Sequence, residues 1–230
     1  MPDRAAVGHV TALAYVAATA ATVLGAVTHR PALQYVAKPA MMPILALRVR
    51  AHDDPALAIG LAAATLGDVA MIEPDDDRRV RLGASGFAVM HAVWSTRLWR
   101  TGSRVRPVVA ATRAAGWAAG VAIARRRAPG MLPVTATYGG LVATTATLGA
   151  DGTRDAAVGS TLFLISDALV LARRAGSPRW ADALEAAVLV TYASAQWLLV
   201  RGLSEPVRTA GRRSRGRGGT ASGRDPRRTR

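Results

Sequence analysis

The chain has 230 residues, half of them apolar, with 30 basic against 15 acidic side chains and a formal net charge of +15. A pI near 11.7 would ordinarily point to nucleic acid, but the charge is segregated, with ten basic residues from Arg201 onward and most others in short clusters between apolar stretches. That distribution argues against a soluble domain and against a nucleic-acid partner, and the lack of cysteine excludes disulfide frameworks and thiolate metal sites.

In chain order, eight stretches each approach the ~20 residues that cross a hydrocarbon core. They run over 7–28, 33–49, 55–73, 82–99, 107–125, 130–150, 156–173 and 183–200. The first is long, weakly preceded by charge and followed by further spans, so it reads as a span and not a cleaved leader. Pro39 and Pro43 are expected to kink or start the second helix. Several stretches are rich in Ala, Gly and Thr, the small residues that let helices pack closely in lipid. Arginine clusters border them at Arg48 and Arg50, Arg78 to Arg81, Arg97 to Arg106, Arg125 to Arg127 and Arg173 to Arg179, as expected of loops at a membrane surface. From Gly202 to Arg230 the chain is mostly Arg, Gly, Ser and Pro, which predicts a disordered tail lying against anionic headgroups. The expected fold is therefore all-α: a polytopic transmembrane helical bundle over 1–201, with a disordered basic tail over 202–230.

Ionisable residues inside spans cost roughly 2.5–3.5 kcal/mol each at a helix centre, so each needs a reason. They are Lys38, Asp68, His91, Arg113, Asp167 and Glu185. With the helices alternating between side A, which bears both termini, and side B, Lys38, Asp68, Asp167 and Glu185 all fall in the B half. Helical phase agrees. Glu185, Tyr192 and Gln196 share a face, as do Gly159, Phe163, Ser166, Asp167 and Val170, and as do Gly83, Phe87, His91 and Trp94. A polar cavity at that depth accounts for all of them. Plainer roles exist for each alone: Lys38 and one aspartate as a packing ion pair, His91 as an interior histidine, Arg113 snorkelling or pairing locally, and Tyr138, Tyr192 and Gln196 as interhelical hydrogen bonders.

The ordered set Lys38-Pro39 with Met42-Pro43, Leu66-Gly67-Asp68, Phe87 with His91, Tyr138, Gly159 leading to Leu162-Phe163 and Ser166-Asp167, and Tyr192 with Ala195-Gln196 resembles the YhhN family. This is a family of eight-helix membrane proteins whose animal members are lysoplasmalogenases. The likeness runs from about residue 30 to 200. Trp94 stands where the family usually has tyrosine, which bears on substrate shape, and Ser160 stands where alanine is usual.

The resemblance implies hydrolysis of the vinyl ether bond of a lysophospholipid, giving a fatty aldehyde and a glycerophospho-alcohol without a cofactor. Such chemistry needs one protonated and one ionised carboxyl, the division of labour used at glycosidic bonds. Asp68 and Asp167 are the expected pair. Lys38 would keep one ionised or meet the phosphate, and His91, Tyr138, Tyr192, Gln196 and Glu185 would complete the substrate site. A metal-dependent lipid hydrolase using His91, Asp68 and Asp167 is the alternative, although His9, His29 and His52 fall at other levels. A small proton-coupled transporter is another, without a visible internal repeat to support it. The expected location is a bacterial plasma membrane, among membrane lipids, with both termini cytoplasmic.

Overall fold

Proline and short polar caps set most of the helix starts. Pro31, Pro55 and Pro107 stand in the first turns of their helices, where the missing N–H has no partner to lose. Asp54 accepts from the Ala56 and Leu57 amides at 3.1 and 3.2 Å, Asp76 from Arg78 and Arg79 at 2.7 and 3.2 Å, and Thr153 from Ala156 at 3.2 Å. These are N-caps. The computed structural model describes residues 4–205. Its helices are α1 (Arg4–Val27), α2 (Pro31–Arg48), α3 (Pro55–Ala70), α4 (Asp77–Arg100), α5 (Pro107–Arg127), α6 (Leu132–Gly149), α7 (Arg154–Ala175) and α8 (Ala181–Ser204). No strand occurs among the described residues.

The eight expected spans are present, with displaced ends. α4 begins at Asp77 and not at 82, because the Asp76 cap starts the helix while its first turn is still charged. α3 stops at Ala70 and not at 73, four residues before Pro74, which disfavours helix in the residue preceding it. α2 begins at Pro31 and runs through both Pro39 and Pro43, so neither starts it. α8 continues to Ser204, past the boundary at 202 expected for the tail. Gly202 and Leu203 are buried, and the Leu203 carbonyl accepts from Arg97 Nε at 2.8 Å. The rest of the arginine-rich tail, 206–230, lies outside the described residues.

Packing follows the ring α1, α2, α3, α4, α6, α7, α8 and back to α1, with α5 outside against α6 and α7. Stretches 6–27, 107–127, 154–175 and 178–204 are long and apolar enough to cross a membrane. The other helices are shorter or more polar, yet they too carry bare apolar side chains: Val36 and Leu47 on α2, Leu66 on α3 and Leu82 on α4 are 64–74% exposed. An apolar outer surface on this scale fits a lipid solvent. Two close approaches hold the pairs that carry the aspartates. A Cβ on Gly86 of α4 would lie 2.8 Å from the Ala63 carbonyl of α3, and one on Gly159 of α7 would lie 2.6 Å from the Leu199 amide of α8. Only glycine admits backbones this near.

Candidate active site

Asp68 sits in the last turn of α3 and is 1% exposed. The Tyr192 hydroxyl of α8 donates to its Oδ2 at 2.9 Å, and Gln196 Nε2, one turn along α8, donates to that hydroxyl at 3.2 Å. Asp68 Oδ1 has no hydrogen-bond partner. Lys38 of α2, 5% exposed, donates to the Met71 carbonyl at 3.0 Å, an acceptor freed by the end of α3. No ion pair within 4.0 Å joins Lys38 to either aspartate among the described residues, so a tight Lys–Asp contact is not what holds these helices together.

Asp68 and Asp167 line one cavity of about 50 Å³, with Lys38, Tyr192, Glu185 and Arg173 also in its wall. Phe87, Phe163 and Tyr192 line it as well and pack edge to face, with centroids 5.5–6.1 Å apart. Asp167 also lines an adjoining apolar pocket of about 290 Å³ formed by α4, α5, α6 and α7. Tyr138 faces it there, yet the Tyr138 hydroxyl and Asp167 Oδ2 each lack a hydrogen-bond partner. Two carboxylates from different helices thus share one small chamber, one braced by a hydrogen-bonded pair and the other at the border of an apolar space.

On side B the connection between α3 and α4 lies over the chamber, with Met71 and Pro74 in its lining. Four side chains tie it down. Tyr35 donates to Glu73 at 2.7 Å, Lys38 binds Met71 as above, and Arg174 donates to the Pro74 carbonyl at 3.1 Å and pairs with Asp77. Arg173 forks onto Asp75 at 2.8 and 3.0 Å and lies 3.1 Å from Glu185 through Nε, without the angle of a hydrogen bond. The Arg173 guanidinium holds the Asp75 carboxyl below the usual carboxylate range.

The expected site residues therefore divide. Lys38, Asp68, Asp167, Tyr192 and Glu185 meet in the chamber, and Tyr138 joins Asp167 from the apolar side. His91 and Gln196 line neither space. His91 is fully buried, packed edge to face on Phe163 at 4.5 Å and hydrogen-bonded through Nδ1 to Thr145 at 3.0 Å. It stands behind the aromatic cluster and does not converge with Asp68 and Asp167 on one point, and no group of three metal-ligand side chains exists among the described residues. Trp94 is fully buried against Gly60 and lines neither space, so it does not shape either wall directly. Arg113 donates to Thr161 on α7 at 3.0 Å, the local pairing expected of it. Arg173 is the functional candidate that the sequence hid, placed in a loop cluster although it continues the face of Ser166 and Val170.

No curated protein and no solved structure matches the chain. The sequence profile of the YhhN family matches residues 33–203, a stretch that contains every residue of the chamber. The chain belongs to the YhhN family.

Proposed function

We propose that this chain is a membrane-embedded hydrolase that cleaves the vinyl ether bond of a lysoplasmalogen. The observation carrying this reading is the pair Asp68 and Asp167 in one chamber, with a cationic rim on one side and an apolar pocket on the other. Family membership supports a membrane hydrolase of this kind.

Asp167 is the acid and Asp68 the base. Asp167 alone of the two also borders the apolar pocket, which suits a carboxyl kept protonated. Asp68 receives the Tyr192 hydrogen bond, which suits a carboxylate. Asp167 gives its proton to the alkene carbon remote from the ether oxygen, leaving an oxocarbenium ion. Water adds to the adjacent carbon and loses a proton to Asp68, forming a hemiacetal. The carbon–oxygen bond to glycerol then breaks, the leaving oxygen takes the proton from Asp68, and the hemiacetal hydroxyl returns one to Asp167. Both carboxyls end as they began. Lys38 and Arg173 meet the phosphate, while Tyr192 with Gln196, and Tyr138, orient the two carboxyls. His91 positions Phe163 from behind. Arginines from Arg201 onward support the reading that both termini face the cytoplasm of a bacterial plasma membrane, with the chamber in the outer half. The test is to incubate purified protein with a lysoplasmalogen and with its saturated-ether analogue. Aldehyde from the first alone supports the reading, and aldehyde from neither ends it.

A further inference from the structure

The pocket beside Asp167 is nearly six times the volume of the catalytic chamber, at about 290 Å³ against 50 Å³. This approaches the size of small-molecule sites, about 300–1,000 Å³. Its polar side chains are Trp117, Thr135, Tyr138 and Asp167, and every other lining residue is apolar or glycine. The Trp117 indole N–H is already satisfied by the Thr135 carbonyl at 2.9 Å. No basic side chain lines the pocket, so it cannot hold a phosphate. Met71, Phe87, Asp167 and Val170 belong to both walls, so the pocket adjoins the chamber at the acid.

We infer that this pocket binds the single alkyl chain of the substrate, with its length preference set by the glycine face of α5; the inference rests on the ether-hydrolase reading above. A chain whose first carbons lie at Asp167 has one continuous apolar space ahead of it. The far wall is α5, which buries only Ala124 and stands outside the ring, between the pocket and the lipid. Gly116 and Gly120 lie one helical turn apart on its inner face. A Cβ on Gly116 meets nothing within 4 Å, and one on Gly120 would make ordinary contacts at 3.6 Å to Thr135 and 3.8 Å to Leu171. These positions therefore leave space that larger side chains can take without moving the backbone. The two glycines measure the chain: the smaller they are, the farther it extends along α5.

The experiment uses full-length protein in detergent and saturated-ether lysophospholipids of graded chain length, which bind but present no alkene. Affinity is measured for wild type, Gly116→Leu and Gly120→Leu. Each variant is expected to lower the affinity for the longest chain relative to the shortest by about tenfold, roughly what excluding two methylenes from an apolar site is worth. Gly116→Leu, whose added atoms start in open space, decides the matter if Gly120→Leu fails to fold. Unchanged chain-length profiles in both would overturn the inference, even if wild type releases aldehyde from a lysoplasmalogen. A shifted profile without any aldehyde release would uphold the chain site and remove the reaction assigned to it.

Discussion

Tyr192→Phe isolates the hydrogen bond that braces the proposed base. The substitution removes one oxygen and keeps the ring, whose edge-to-face contacts lie at 5.7 Å to Phe87 and 5.5 Å to Phe163. Asp68 then loses the 2.9 Å bond to Oδ2, and since Oδ1 has no partner, the carboxylate is left without a side-chain hydrogen bond. A hydrogen bond to a charged group contributes ~1.5–3 kcal/mol. If all of it is felt in the transition state, turnover falls roughly 10- to 150-fold. Gln196 loses an acceptor but keeps its 3.1 Å contact with Met90 Sδ, so the fold should persist. The assay is aldehyde release by purified variant and wild type at saturating lysoplasmalogen, with thermal unfolding followed in the same detergent. A variant within twofold of the wild-type rate would refute the role given to Tyr192, and a collapse of thermal stability would recast the bond as structural.

Asp68→Asn and Asp167→Asn should each reduce turnover by the ~10²–10⁴-fold typical of a lost acid or base while the protein still inserts and folds; near-normal activity in either would break the two-carboxylate mechanism. Gly159→Ala places a Cβ 2.6 Å from the Leu199 amide and 3.0 Å from the Ala195 carbonyl, so overpacking should cost about 1–3 kcal/mol, read as a lowered melting temperature, and an unchanged one would show that α7 and α8 adapt freely. The Asp75–Arg173 pair predicts a pH effect whose sign is fixed. The folded carboxyl is depressed, so its contribution is full above the unfolded carboxylate pKa near 4 and is lost as pH falls through the lower folded value. Because the Asp75 side chain is 76% exposed, the contribution is at most ~1 kcal/mol. Unfolding curves of wild type and Asp75→Asn should differ at neutral pH and converge in acid, and a gap that widens in acid would contradict the assignment.

The eight helices were legible because lipid demands long apolar stretches and forces charges to their ends. The ends were less so: hydropathy places the start of α4 after Arg81, whereas the Asp76 cap fixes it at Asp77, and it gives no reason to end α3 before Pro74. Depth was also readable, since alternating helix direction puts Lys38, Asp68, Asp167 and Glu185 at one level, and all four line the chamber. Helical phase could not say which polar residues on an inward face reach open space. His91 shares its face with Phe87, yet Phe163 stands between His91 and the chamber that Phe87 lines. Arg173 was obscured by its neighbours, because an arginine in a basic cluster at a helix end looks like a topology signal until the fold brings Asp75 and Glu185 to it. The apolar pocket had no sequence signal, being built from small and apolar residues scattered over α4, α5, α6 and α7.

Protonation of an alkene carbon by a buried carboxyl can be read from the reaction run in D₂O with a lysoplasmalogen, the aldehyde being trapped as it forms. Carbon protonation by Asp167 predicts one deuterium on the carbon next to the aldehyde group, in product from wild type and none above background with Asp167→Asn. Aldehyde formed without that deuterium, or no aldehyde at all, would contradict the account.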